Sequence, residues 1–531
     1  MEKHRALEIK LVLLLHRISS MKDVEQVQAF IAKAGLVNYP PLVAKLISLT
    51  SVSSWGCVSH AQSLFEETTM DDTLLCNTMI RAYSRSVFPI RALCIYNRMQ
   101  ELNLGSDNFT FNFALRACAR AMKRFQEDCR FELAKGAEIH CRILKLGFDR
   151  YLNILNSLVF AYSQCGRVGV ARQVFDEMSD RSVASWNIMI SAYDQLDDFE
   201  SADHLFALMP QKNVVSWNTL LSRTVRLGKI EAAKELFQEM PERDAVSWNS
   251  IIAAYVQAKN YDGALNLFRE MQDSKVEATE VTLISILGAC AKTGALDIGT
   301  EIHVSLVKKC YKVEGYLGNA LVDMYAKCGK LNSAREVFDE LKMKPVSCWN
   351  AMIVGLAVHG GSEEALELFA EMENRLDEVR PNRVTFIGVL IACRHKGLVE
   401  EGRQYFDRMI QQYNIKPDIK HYGCMIDLLS RWGFLYEAYE MIKTRSGETS
   451  SVIWRTLLGA CTVHRNMDMA EKCFQQLAEL ELLKDADYVL LSNIYAEAER
   501  WDDVERLRNE MVTAGVVKIL GYSHIGEGNF K

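Results

Sequence analysis

Proline is scarce in this sequence, with 8 residues in 531 against the ~5% of an ordinary globular chain. Proline breaks helix interiors, so a 49% apolar chain this poor in breakers is expected to be almost wholly helical. Long apolar runs are missing too. The candidate run Leu11 to Leu15 is cut by Lys10 and His16, far short of the ~20 residues a bilayer requires. Excess positive charge is also absent: 62 basic and 68 acidic side chains give a formal net charge of −6. That balance excludes a protein that coats nucleic acid through bulk charge, so any such binding must come from a local stripe. The small net charge and large apolar fraction exclude disorder throughout.

Fifteen cysteines are present, but no two are separated by two residues, which removes the usual zinc and thioredoxin-like patterns. They recur instead at equivalent places. Cys118, Cys290, Cys393 and Cys461 each follow an alanine, and Cys165 and Cys328 each precede a glycine. Cysteine used in this way is a small buried hydrophobe in a reducing compartment.

Self-similarity is the dominant signal. Trp-Asn pairs stand at Trp186-Asn187, Trp217-Asn218 and Trp248-Asn249, spaced 31 residues apart, and again at Trp349-Asn350. The segment NSLVFAYSQCG from Asn156 returns as NALVDMYAKCG from Asn319. Periods of this size mean stacked supersecondary units. Each unit reads as two short helices. The second carries Ala, an aliphatic, an aromatic and Met at i, i+3, i+4 and i+7, as in Ala171, Val174, Phe175 and Met178, then Ala233, Leu236, Phe237 and Met240, then Ala365, Leu368, Phe369 and Met372. The first ends near a glycine such as Gly166, Gly228 or Gly329. The Met and aromatic residues are read as core packing.

The pattern Asn-x-Leu/Met-Ile/Val…Tyr…Gly…Ala…Phe…Met resembles that of pentatricopeptide-repeat proteins. The alternation of 31- and 35-residue units is similar to the plant PLS subclass, and the resemblance runs from about residue 6 to about residue 520. It implies an all-α fold, a right-handed α-solenoid superhelix of helix-turn-helix repeats. A leader and partial repeat would fill 1–39 and an array of about twelve repeats 40–450. Units begin at 40, 73, 108, 152, 183, 214, 245, 280, 315, 346, 383 and 419. The unit 108–151 is long, with an insertion around Phe125 to Ala134. Beyond 450, two helix pairs at 451–518 resemble the E motifs that follow the last repeat in PLS proteins, and a short tail fills 519–531.

In this family the fifth and last residues of a repeat are held to recognise one RNA base. The implied base-reading pairs are Asn77 with Asp107, Asn156 with Ser182, Asn187 with Asn213, Asn218 with Asp244, Asn249 with Thr279 and Asn350 with Asn382. Asn112 and Asn319 occupy the same fifth position, whereas Ile284 and Ile387 cannot hydrogen-bond a Watson–Crick edge, and Pro345 is an unusual last residue. By resemblance Asn with Asp implies U, Asn with Ser implies C and Asn with Asn a pyrimidine, giving a target near 5′-U-x-C-Y-U-Y-x-x-Y. The alternative for the Asn column is a capping or turn residue near a helix start. A second column at position thirteen holds Arg85, Arg120, Arg226, Lys292, Lys327 and Arg431, candidate phosphate contacts. It shares a stripe with position two, often apolar (Leu74, Val215, Val246, Val281, Val384) as a wedge between bases would be. The alternative is that these cations offset the helix dipole.

A cytidine-deaminase-like domain of the kind found in relatives needs His-x-Glu and Cys-x-x-Cys. None of the eleven histidines has Glu two residues later, and no Cys-x-x-Cys occurs. His140 and His303 occupy matching places, GAEIH and GTEIH, and read as repeat consensus. The chain is therefore expected not to be an enzyme and to need no metal or cofactor. The expectation is a monomeric site-recognition factor for C-to-U editing of organellar RNA. It would bind pyrimidine-rich single-stranded RNA and recruit a DYW-type deaminase in trans through the E region, with no membrane partner. A splicing, processing or stabilisation factor, or a protein-binding scaffold, are the rivals. The start carries Arg5, Lys10 and Arg17 but also Glu2 and Glu8, a poor transit peptide. The resemblance implies the mitochondrion, with the plastid as alternative.

Overall fold

The computed structural model describes residues 20–33, 39–52, 56–68, 72–124, 130–375, 379–444 and 451–516. The leader up to residue 19, the first half of the insertion (125–129) and the tail from 517 onward lie outside them.

Among the described residues every regular element is a helix, arranged as consecutive antiparallel pairs. First helices run Thr73–Arg85, Asn108–Arg124, Leu152–Gln164, Val183–Gln195 and Val214–Arg226, and onward to Ile419–Arg431. Each opens one residue after the last residue of the preceding unit. That last residue is often the helix cap. Ser182, Asn213, Thr279, Asn382 and Asp418 each accept from backbone amides two or three residues on, satisfying donors that a helix start leaves open. First helices end at residues in the left-handed region, Gly166 at φ +65°, Gly228 at +69° and Gly329 at +76°.

The chain forms two compact units, one ending at Ile251 and the other starting at Ile252. Within each, a first helix packs on its own second helix and on the first helix of the next pair. The core follows from the second-helix stripe: Ala171, Val174, Phe175 and Met178 are all buried, as are Ala365, Leu368, Phe369 and Met372. Each such large side chain contributes about 1.5–3 kcal/mol on burial. The tryptophan of the Trp-Asn pair reaches back to the phenylalanine of the preceding stripe. Edge-to-face contacts join Phe175 to Trp186 (5.0 Å, 82°), Phe206 to Trp217 (5.2 Å), Phe237 to Trp248 (4.7 Å) and Phe338 to Trp349 (5.0 Å). A pair that cannot close its own apolar face thus closes it on its neighbour.

Cysteine follows the same rule. Cys118, Cys290, Cys393 and Cys461 are buried, and burial pushes the Cys290 thiol up to about 11 and Cys393 to about 12. His140 and His303 each bond the hydroxyl of a tyrosine on the next first helix, Tyr162 and Tyr325, at 3.0 Å. No group of three or more His, Cys, Asp or Glu side chains that could hold a metal occurs among the described residues. No described helix is long and apolar enough to cross a membrane.

Candidate nucleic-acid interface

With tryptophan at position four turned into the core, asparagine at position five lies one residue round the helix, in the seam between successive first helices. There it meets the last residue of its own unit. The Nδ2 of Asn77 donates to Asp107 Oδ1 at 3.0 Å, that of Asn218 to Asp244 Oδ1 at 3.0 Å and that of Asn350 to Asn382 Oδ1 at 3.1 Å. The contacts of Asn156 with Ser182 Oγ and of Asn187 with Asn213 Oδ1 are 3.4 Å. Five of the six pairs are therefore side by side. Of the sixth, Asn249 lies half-buried in the first compact unit, while Thr279 lies in the second and caps its own helix by accepting from the Thr282 amide.

The two members of a pair sit differently. Asn77, Asn218 and Asn350 are buried (6–8% exposed). Asn213, Asp244 and Asn382 are exposed, and Asp107 and Ser182 half so. Capping thus belongs to the last-residue column, and the Asn column lies inside the helix.

A third group, not anticipated in the sequence, fixes the asparagine from the other side. The hydroxyls of Ser185, Ser247 and Thr385, at position three of the following unit, donate to the Oδ1 of Asn156 (2.6 Å), Asn218 (2.7 Å) and Asn350 (2.6 Å). The recurring Ser-Trp-Asn tripeptide was the available signal. A hydroxyl on one side and a carboxylate or amide oxygen on the other fix the orientation of the asparagine amide.

The last residue is then constrained at one atom and free at another. Asp244 Oδ1 accepts from Asn218 Nδ2 at 3.0 Å and from the Ser247 amide at 2.9 Å. Asn382 Oδ1 accepts from the Val384 and Thr385 amides at 2.9 and 3.2 Å. These bonds converge on one oxygen of each residue, away from the second carboxylate oxygen of Asp244 and the Nδ2 of Asn382. Burial pushes the Asp244 carboxyl up, but the hydrogen bonds from Asn218, Ser247 and Val246 outweigh it and hold it below the usual range. It is an ionised acceptor at neutral pH.

Around these pairs the apolar position-two residues stand in solvent, with Leu74 49%, Val215 56%, Val246 54%, Val281 61% and Val384 46% exposed. The position-thirteen cations are exposed as well, but their environments differ. Lys327 is bound by Asp323 at 2.6 Å and Arg431 by Asp427 at 2.8 Å. Arg226 reaches Asp197 at 3.4 Å and the Asp194 carbonyl at 3.0 Å, and Arg120 donates to the Ser84 carbonyl at 3.0 Å. Arg85 and Lys292 extend from exposed positions.

The seam is refilled near the C-terminus. Position five of the pair opening at residue 451 is Arg455, whose guanidinium lies 2.9 Å from the fully buried carboxylate of Asp487, on the next first helix. A charged pair here occupies the place that asparagine and serine share in the repeats.

Comparison with known proteins follows the same pattern along the chain. The PPR repeat matches residues 75–104, 154–183, 184–214, 215–244, 319–346, 347–375, 384–412 and 420–444, the PPR repeat family 243–292, and the E motif 464–526. Pentatricopeptide repeat-containing protein At4g18840 of Arabidopsis thaliana is 47% identical over 497 residues, covering 93% of this chain and 89% of its own length. At5g15300 of the same plant is 42% identical over 517 residues (96% and 92%). At1g59720, named chloroplastic/mitochondrial, is 34% identical over 523 residues (96% and 70%). Among solved structures, pentatricopeptide repeat protein PPR10 from maize is similar at 15% identity, TM-score 0.45, covering 93% of this chain and 91% of that one. The PPR10 complex with an 18-nt psaJ RNA element gives 16% and 0.49, with 93% and 82% covered.

Proposed function

This chain belongs to the pentatricopeptide-repeat family, and we propose on that premise that it binds single-stranded RNA by sequence and directs C-to-U editing at a site in an organellar transcript. One observation carries the reading. In the units opening at 214 and 346 a buried asparagine, itself fixed by a hydroxyl, holds the last residue by one polar atom and leaves another toward solvent. A base splayed from a single strand presents its Watson–Crick edge to such an atom. The outer oxygen of Asp107 or Asp244 accepts, which suits the N3–H of uracil. The Nδ2 of Asn213 or Asn382 donates, which suits the N3 of cytosine or the O4 of uracil. The exposed valines and leucine at position two supply the apolar surface on which neighbouring bases rest.

The target is accordingly pyrimidine-rich, near 5′-U-x-C-Y-U-Y-x-x-Y, and the chain acts as a binding factor rather than as the catalyst. The E motif at 464–526 would dock a DYW-type deaminase supplied in trans. The compartment is an organelle, the mitochondrion by preference, in keeping with the organellar name of one relative.

Gel shift at stated salt with that oligonucleotide and a scrambled one tests the binding half. Preference for the first is expected, and equal binding would reduce the chain to a protein-binding scaffold. Sequencing of organellar transcripts from a loss-of-function line tests the editing half. One unconverted cytidine just downstream of such a sequence is expected, whereas full conversion everywhere with a missing spliced or processed transcript would point to the rival role. Conversion restored by the purified chain alone would contradict recruitment.

A further inference from the structure

We propose that the two units opening at residues 73 and 108 form a phosphate anchor that grips one nucleotide by stacking and leaves its base unread. The proposal rests on the RNA-binding reading above. It starts from position nine, one helical turn from both five and thirteen and on the same face. Where position nine is Asp, it cancels the cation at thirteen, as Asp323 does for Lys327 and Asp427 for Arg431. In the units opening at 73 and 108 it is arginine instead. Arg81 precedes Arg85 and Arg116 precedes Arg120. Among the described residues none of the four stands in an ion pair with a carboxylate.

The surroundings fit a nucleotide. A cleft of about 790 Å³ is lined by Arg85, Arg116 and Arg120 together with Asn112, Phe113 and Phe160. Phe160, at position nine of the next unit, is 38% exposed. The Arg81 guanidinium carbon lies 6.0 Å from the centre of the Phe113 ring, and its buried Nε has no hydrogen-bond partner. Meanwhile the last residue of the unit 108–151 is not a small polar group. It is Tyr151, 49% exposed, whose side chain caps nothing and whose ring packs 5.6 Å from Phe148. A base placed here meets rings, which accept any π-face, and its flanking phosphates meet unneutralised guanidiniums.

The test is fluorescence anisotropy with the full chain and the pyrimidine-rich oligonucleotide, titrated from about 50 to about 300 mM salt. Each phosphate contact to a single strand contributes about 0.7 to the slope of log affinity against log salt. The double variant Arg85→Gln/Arg116→Gln is expected to lower that slope by about 1.4 while keeping the preference at the base facing Asp244. Arg85→Lys/Arg116→Lys should restore the slope. Lys327→Gln/Arg431→Gln, already neutralised, should lower it by less than half as much. All four bases at the second nucleotide should bind within about twofold of one another, and Phe160→Ser should weaken them alike. An unchanged slope in the Arg-to-Gln pair, or about tenfold discrimination at the second nucleotide, overturns the anchor even where the Asp244 preference survives. Loss of all sequence preference in the unaltered chain would instead overturn the RNA-binding reading beneath it.

Discussion

Asn350 is held from both ends: its Nδ2 donates to Asn382 at 3.1 Å, and its Oδ1 accepts from the Thr385 hydroxyl at 2.6 Å. It is 7% exposed, so on the proposed reading it acts on a ligand through Asn382. Asn350→Ala is expected to cost about 1 kcal/mol by removing the 2.6 Å acceptor of the Thr385 hydroxyl, which keeps Asn382 Oδ1 at 3.3 Å. It should also erase base discrimination at the nucleotide facing Asn382 without changing the salt dependence of binding. Urea denaturation and competition binding read the two effects separately, and discrimination that survives would assign the reading to another group.

Pro345 is the converse case. It precedes the helix Val346–Val358 as a cap without a side-chain bond, at φ −65° and ψ 161°. The buried Oδ1 of Asn319, four residues into the same unit's first helix, has no partner. Pro345→Asp should supply the missing cap and raise stability by about 1 kcal/mol. It should also create a preference for U where the natural chain has none. A lower melting temperature would count against this account of the seam.

Much of the fold was legible in the sequence because the period of Trp-Asn pairs and the Ala…Phe…Met stripe encode contacts that recur with each repeat. Trp248 against Phe237 is one such contact. The candidate site was legible in its columns but not in its division of labour. Asn218 and Asp244 are 26 residues apart, and the hydroxyl that completes the set, on Ser247, belongs to the following unit. No pattern inside a single repeat says that position five turns into the seam while the last residue faces outward. The position-thirteen column failed to separate for a similar reason. Lys327 and Arg85 look alike in a column, and only their neighbours one turn back, Asp323 and Arg81, distinguish a neutralised cation from a free one.

Backbone conformation makes its own demand at the helix ends. Gly166 sits at φ +65°, and a Cβ added there would meet nothing within 4 Å, so Gly166→Ala meets backbone strain and no clash. The expected loss is about 1–2 kcal/mol. Chemical denaturation of the variant checks this, and no loss would mean that the turn relaxes freely.

Histidine makes stability depend on pH. Burial holds the His140 and His303 imidazoles below the ordinary histidine range, against an opposing pull from Glu177 on the first and Glu340 on the second. The fold therefore favours the neutral rings. Their contribution is complete above the unfolded value of ~6.5 and is lost as pH falls below it toward the lower folded value. Melting temperature should drop between about pH 7 and about pH 5, and His140→Gln/His303→Gln should flatten that drop. An equally steep drop in the double variant would place the titration elsewhere.

Arg455 and Asp487 show what the seam becomes when it holds charge. With Asp487 fully buried, Arg455→Ala is expected to destabilise the terminal pairs by about 3–5 kcal/mol, since an unpaired carboxylate would remain inside. Hydrogen exchange confined to residues 451–516 would register this, with the repeats before residue 444 unaffected.

The most direct measurement is a two-by-two binding experiment at residue 244: the natural chain and Asp244→Asn, each against RNAs carrying U or C at the facing nucleotide and otherwise identical. An acceptor exchanged for a donor at one atom should abolish the discrimination, with the natural chain favouring U by about tenfold and the variant binding U and C within about twofold of each other. Parallel losses of affinity for both RNAs, with the U preference kept, would contradict the claim that the outward atom of the last residue reads the base.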